Sequence, residues 1–175
     1  RLEIYGAETE LDKTVIEKIG DPLMHLVRNS LDHGIESPAE RVRVGKPEEG
    51  TITLQAKHQA GYITIQIIDD GKGLDPTILR QKAIEKGVIS EDQKLSKNEI
   101  FNLIFAAGFS TAEEVSNISG RGVGMDVVRR NIESLRGNIF IDSEAGKGTT
   151  ITIQLPLTLA IIDGFNVSID EESYI

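Results

Sequence analysis

The sequence predicts an α/β fold, a two-layer α/β sandwich with helices packed on one face of a mixed, largely antiparallel sheet. Three observations predict it. Two pairs of segments alternate apolar and polar residues and are joined by short glycine turns, as antiparallel hairpins are. Four further segments open on helix start signals, a fifth follows a glycine-rich loop, and several are followed by a glycine. The order helix, helix, hairpin, helix, helix, helix, hairpin sets helices over one face of a sheet and excludes a doubly wound dinucleotide fold.

The first helix is expected over Pro22 to His33, with Asp21 as N-cap and proline at the first helical position. The second runs from Pro38 to Val44 behind Ser37, and Glu40 completes a capping box. Thr51 to His58 and Tyr62 to Ile68 form the first hairpin around Ala60-Gly61. Pro76 to Lys86 follows Asp75, and Lys97 to Ala106 follows Ser96 with Glu99 as its capping-box partner. The helix Gly124 to Arg136 has an apolar stripe of Met125, Val128, Ile132 and Leu135, and Asn138 to Ser143 with Thr149 to Leu155 closes the second hairpin. Gly34, Gly45, Gly87 and Gly137 stand where C-terminal glycines belong. The body is expected to end at Pro156. Residues 157 to 175 read as a linker and the first strand, Leu159 to Ile162, of a following domain, with a terminal strand of the main sheet as the alternative.

Composition narrows the function classes. The 175 residues carry 19 basic and 28 acidic side chains, a net charge of −9, with three tyrosines and five phenylalanines. An acidic chain with few rings argues against a nucleic-acid binder. The absence of cysteine excludes disulfides, thiolate metal sites and a cysteine nucleophile. No apolar stretch is long enough for a membrane span, so a cytoplasmic location is expected. The chain starts at Arg1 without a basic-then-apolar leader and reads as a piece of a longer protein.

Three constellations could carry chemistry. The helix from Pro22 has an apolar stripe of Leu23, Leu26, Val27, Ser30 and Leu31, and an opposite stripe of His25, Arg28, Asn29, Asp32 and His33. A polar stripe is ordinarily a solvated face, but this one gathers ligand and acid–base side chains instead of Lys and Glu. An Asn oxygen and an imidazole suffice for magnesium, which keeps most of its waters. The second is Asp69-Asp70-Gly71-Lys72-Gly73 at a strand end, read either as a plain turn or as a carboxylate acceptor whose neighbouring glycines let a flat ligand approach. The third is Gly120-Arg121-Gly122-Val123-Gly124-Met125 at a helix start, where free amides and the helix dipole suit phosphate, although a flexible hinge would look the same. Its G-x-G-x-G spacing is neither a dinucleotide fingerprint nor a P-loop.

In this order and spacing the three elements resemble the Bergerat-type ATP-binding fold shared by histidine kinases, DNA gyrase, Hsp90-type chaperones and mismatch-repair ATPases. Within that group the segments His25 to Gly34, Asp69 to Gly73, Phe101 to Phe105, Gly108 to Thr111, Gly120 to Met125 and Gly146 to Thr150 are similar to the kinase domain of bacterial chemotaxis histidine kinases. The resemblance spans roughly residues 1 to 156. It implies that Asp69 accepts from the adenine amino group, that Gly71 and Gly73 admit the base, and that Thr149 lines the base pocket. It also implies Asn29 and His33 as magnesium ligands with Asp32 beside them, and amides of the Gly120, Arg121, Gly122, Val123, Gly124 and Met125 loop on the phosphates. Ser110 and Thr111 open the lid, and Lys82 is directed towards the phosphates, while Ile78 stands where a basic residue is often found. The ATPases of the group place a Glu four residues before the Asn. Here that place is His25, which points to phosphoryl transfer from Mg-ATP to a histidine, with His25 and Asn29 catalytic.

His25 and His33 lie on the helix stripe and His58 ends a strand, so the resemblance implies an acceptor histidine on a separate domain of the same polypeptide, presented in trans within a dimer. It also implies adaptor and receptor contacts through neighbouring domains in two-component chemotaxis signalling, with this domain alone monomeric. Two rival readings are an ATP-driven clamp ATPase of the same group and an interaction module that binds no nucleotide.

Overall fold

The computed structural model describes residues 1–109 and 124–157, together with the backbone of two short strands at 167–169 and 172–174. The five-stranded sheet contains β1 (Leu2–Tyr5), β2 (Ile52–Gln59), β3 (Tyr62–Asp69), β4 (Asn138–Glu144) and β5 (Gly148–Pro156), in the spatial order β1-β2-β3-β5-β4. The β1–β2 pair is parallel and the other three pairs are antiparallel, which makes the sheet mixed as expected. The β2–β3 turn is made by Ala60 and Gly61 at φ 52° and 81°, the double left-handed conformation of a type I′ hairpin.

The helices are α1 (Lys13–Asn29), α2 (Pro38–Arg43), α3 (Pro76–Glu85), α4 (Lys97–Asn102) and α5 (Met125–Ser134). Alternation along the strands decides which face they cover. Ile63, Ile65 and Ile67 of β3 and Ile151, Ile153 and Leu155 of β5 are buried against Leu26 of α1, Phe101 of α4 and Val128 and Ile132 of α5. The intervening residues make a polar ladder on the opposite face, where Gln55 Nε2 donates to Gln66 Oε1 at 2.6 Å and Gln66 Nε2 to Thr152 Oγ1 at 3.1 Å. Burying one isoleucine in this core contributes about 1.5–3 kcal/mol, so a one-residue slip of β3 would be decisively unfavourable.

Several expectations are corrected. The first helix starts at Lys13, where the Asp12 carboxylate caps Thr14 N at 2.7 Å, and Pro22 lies inside it. An interior proline costs about 3 kcal/mol relative to alanine. Here its ring is buried in the continuous core stripe Val15, Ile19, Pro22 and Leu26, and packing offsets that cost. The helix also stops earlier than His33, because Ser30–Gly34 widens into a π turn. That turn leaves Leu31 exposed, contrary to its place in the expected apolar stripe, and Asn29 half-buried. Strand β1 was not expected. Gly34 and Gly137 do not take the left-handed conformation, which Arg136 adopts instead at φ 55°. The fourth helix ends at Asn102 and continues as a 3₁₀ turn over Leu103–Phe105. In the tail, β6 (Val167–Ile169) and β7 (Glu172–Tyr174) pair with each other in a separate two-stranded sheet, and the strand expected over Leu159 to Ile162 lies outside the described residues.

Candidate active site

The last residue of β3 is the best-connected polar group of the site. Asp69 is 5% exposed, since β2 and β5 flank it and the π turn after α1 covers it. Its Oδ1 accepts from Gly71 N at 3.0 Å and Thr149 N at 3.2 Å, and its Oδ2 accepts from Ser30 Oγ at 3.1 Å. A carboxylate has about four acceptor positions, so one remains for a ligand donor on the Oδ2 side. Burial pushes the Asp69 pKa above the usual carboxylate range, with the Asp70 charge adding to the rise and the three hydrogen bonds opposing it.

The neighbouring glycines serve close backbone packing. A Cβ on Gly71 would overlap the Gly34 carbonyl, and one on Gly73, at φ 68°, would overlap the Glu144 carbonyl. In this structure, then, Gly73 lies against protein backbone, between the Asp69 loop and the β4–β5 turn. Ser143 ties the same corner together, because Leu74 N donates to its Oγ at 2.9 Å and its hydroxyl donates to Gly148 O at 2.8 Å. A shallow polar cleft opens beside Asp69 and Thr149, bounded also by Ser143, Asp142, Lys97 and Lys147.

The α1 side is different in character. Asn29 Nδ2 donates to Met125 Sδ at 3.0 Å, which joins the end of α1 to the start of α5 and brings two of the sequence-derived site residues together. His25, one turn earlier, is half-buried, and its pKa is lowered by burial and then by the Arg28 charge, which favours the neutral imidazole. Asp32 and His33 are exposed on the π turn. No group of three His, Asp or Glu side chains suited to a metal is found among the described residues. The donor set still fits magnesium: the Asn29 amide nitrogen is engaged by Met125, its carbonyl oxygen is a hard ligand, and magnesium needs few protein ligands.

Lys82 is exposed in the last turn of α3 and makes no ion pair among the described residues. Gly124 precedes α5 as its N-cap residue. Ser110, Thr111, Gly120, Arg121, Gly122 and Val123 lie outside the described residues.

Sequence reasoning missed two features. Ser30, assigned to the apolar stripe, puts its hydroxyl on Asp69. Arg41, not singled out from the sequence, is 1% exposed and sits behind the Asp69 loop. Its Nε donates to Pro47 O, its Nη1 to Glu36 Oε2 and Asp70 O, and its Nη2 to Glu49 O and Asp70 Oδ2. Lys46 Nζ adds bonds to Glu36 Oε1, Asp70 O and Gly71 O. The available signal was the Asp69-Asp70 doublet ending a buried strand, since two adjacent carboxylates there call for a cation.

The family model for histidine kinase-, DNA gyrase B- and HSP90-like ATPases matches residues 19–159. The chain belongs to this ATPase family. It is 59% identical to the sensor histidine kinase CheAY of Helicobacter pylori and 52% identical to the chemotaxis protein CheA of Bacillus subtilis, each over 99% of this chain. The aligned regions are 22% and 26% of those proteins, so the chain spans about a quarter of the length of the curated relatives it matches. Among solved structures, the catalytic domain of histidine kinase ThkA in a nucleotide-free form superposes with a TM-score of 0.52 at 18% identity, covering 91% of this chain and 80% of that one. The blue-light activated histidine kinase of Erythrobacter litoralis gives 0.52 at 15% identity, over 90% of this chain and 35% of that one. These likenesses establish the fold, a mixed sheet covered by helices as the sequence led us to expect, with β1 as a fifth strand beyond the four expected.

Proposed function

We propose that this chain is the Mg-ATP-binding module of a chemotaxis-type protein histidine kinase and transfers the γ-phosphoryl group to a histidine presented by another domain. The observation that carries the reading is the pairing of a buried carboxylate with one free acceptor position, Asp69, and a helix end that offers Asn29 and a neutral His25 in place of a carboxylate base.

The chemistry follows from those groups. Asp69 accepts a hydrogen bond from the 6-amino group of adenine, and Thr149 borders the base. Asn29 and His33 would hold magnesium, with Asp32 beside them, and the ion would supply neutralisation of phosphate charge. Gly124 and Met125 open α5, whose dipole favours phosphate at that end. In the transfer, the bond from the γ-phosphorus to the bridging oxygen of ADP breaks, and a bond forms to the unprotonated ring nitrogen of the acceptor. His25 accepts a hydrogen bond from the other ring N–H and keeps the attacking nitrogen free of a proton. A carboxylate at that position would instead activate water, and positioning suffices for an imidazole nucleophile.

The acceptor in trans, the dimer and the adaptor contacts belong to this proposal, with a soluble kinase as the setting. No described helix is long and apolar enough to cross a membrane. The test mixes the chain with an acceptor domain from a relative and γ-labelled ATP. The expected product is acid-labile, base-stable phosphohistidine on the acceptor. Steady phosphate release without acceptor, and none transferred, would replace the kinase reading by the clamp ATPase.

A further inference from the structure

Arg41 is chemically saturated. All five guanidinium N–H groups are used, at 2.8–3.4 Å, and three of the five acceptors are backbone carbonyls. Lys46 is saturated as well, with three bonds at 2.7–3.0 Å. Two cations face two anions, Glu36 and Asp70, and the cluster closes without net charge.

Four of these eight bonds end on the loop that follows Asp69. Arg41 holds Asp70 by its carbonyl at 3.2 Å and by Oδ2 at 2.9 Å, and Lys46 holds the carbonyls of Asp70 and Gly71. The second Asp70 oxygen accepts from Thr51 N at 2.9 Å, and Lys72 N donates to Gly34 O at 2.9 Å. The backbone that follows Asp69 is therefore pinned from behind. The Gly71 amide that orients the Asp69 carboxylate belongs to the same pinned segment.

We infer that Arg41 is a positioning residue for base selection: by fixing Asp70 and Gly71 behind Asp69, it makes the Asp69 carboxylate an immobile acceptor that takes a 6-amino purine and rejects a 6-oxo purine. The inference rests on the reading of Asp69 as the base acceptor. A 6-oxo purine would set carbonyl oxygen against carboxylate oxygen. A rigid site leaves both unpaired, whereas a mobile carboxylate turns aside and tolerates the wrong base, so rigidity supplies the rejection. Lysine could not replace the arginine, since a point charge with three donors cannot span Pro47, Glu36, Glu49 and Asp70 at once.

The experiment compares dissociation constants for ADP and IDP, with magnesium present, in the 175-residue chain and in Arg41→Lys, Asp70→Asn, Asp69→Asn and Leu155→Ala. Thermal unfolding checks that each variant is folded. Leu155 is buried near the far end of β5 and serves as a control for stability alone. Arg41→Lys and Asp70→Asn are expected to lower the ADP-over-IDP preference about tenfold, the worth of one directed hydrogen bond. Leu155→Ala is expected to melt earlier with the preference unchanged. Should Arg41→Lys fail to fold, Asp70→Asn carries the test, because it keeps the shape while removing the charge and one of the two acceptor oxygens. An unchanged preference in folded variants, even with weaker binding of both nucleotides, would overturn the inference and leave Arg41 a scaffold residue. If the wild-type chain shows no preference and Asp69→Asn changes nothing, the reading of Asp69 itself falls, and the inference with it.

Discussion

The two ends of the site are built differently. At the sheet end, Asp69 is 5% exposed, receives three hydrogen bonds and is backed by the Arg41–Lys46 cluster. At the α1 end, His33 and Asp32 are exposed, and Asn29 is held by one bond to a methionine sulfur. On the proposed function, the difference separates base selection from phosphoryl transfer. A planar base has one correct hydrogen-bonding geometry, and a pre-bonded buried carboxylate supplies it. Phosphates and magnesium bring their own charge and ligands, so the protein needs only a few adaptable side chains there.

The largest expected effect on catalysis breaks the α1 end alone. Asn29→Ala should lower phosphotransfer to an acceptor domain roughly hundredfold or more, as loss of a group that positions transition-state charge does. Binding of ADP without magnesium should change little, and calorimetry in EDTA checks this. An equal loss of magnesium-free binding would show that the ends are not separable.

The next effect breaks the clamp. Arg41→Ala leaves Glu36 and Asp70 facing each other without their shared cation, and removing one partner of a buried ion pair costs about 3–5 kcal/mol. Urea unfolding should show that loss, whereas the exposed pair of Lys147 with Glu144 should give less than about 1 kcal/mol when broken.

Asp69→Asn sharpens the contrast. It should weaken ADP binding by about 1–3 kcal/mol, roughly tenfold to a hundredfold, in calorimetric titrations with or without magnesium. The pH dependence follows from the same carboxylate. Burial raises the Asp69 pKa, so the acceptor form is lost as pH falls through that raised value, and ADP affinity should decline at a higher pH than an ordinary aspartate would give. For the unliganded fold the sign reverses: a raised carboxylate pKa favours the folded state while protonated, and that contribution is lost as pH rises through the folded value. Glu36 acts oppositely. Burial pushes its pKa up, but the Lys46 hydrogen bond and the Lys46 and Arg41 charges bring it below normal, so its stabilisation is present above the unfolded pKa and lost as pH falls through the folded one. Affinity titrations from neutral to mildly acidic pH, flat in Asp69→Asn, would separate these contributions.

The smallest effect concerns α3. Ile78 is 55% exposed, and Ile78→Lys should leave stability within about 0.5 kcal/mol. It should tighten ADP binding by no more than about fivefold, since an exposed charge contributes about 0.2–1 kcal/mol.

The legible parts of the sequence were those governed by local rules. Alternation located β2 to β5 nearly to the residue, and Ser37 with Glu40 and Ser96 with Glu99 form the capping boxes that their spacing announces. The stripe Met125, Val128, Ile132 and Leu135 is buried as its period requires. Long-range pairing was not legible. Strand β1 has only four residues and is defined by its partner β2 across the intervening α1 and α2. The start of α1 was obscured because Asp21-Pro22 mimics an N-terminal signal, while the core stripe runs straight through it. Arg41 and Lys46 were not singled out, because only the fold brings Asp70 to them and no local pattern encodes that meeting.

The most direct test of a preformed base end is hydrogen exchange at individual amides, with and without Mg-ADP. The amides of Gly71 and Thr149, which donate to Asp69, should be protected before nucleotide is added and change little afterwards, while protection around the end of α1 should rise on binding. Rapid exchange of the Gly71 and Thr149 amides in the free chain, slowed only by nucleotide, would contradict the account, because the acceptor would then be assembled by its ligand.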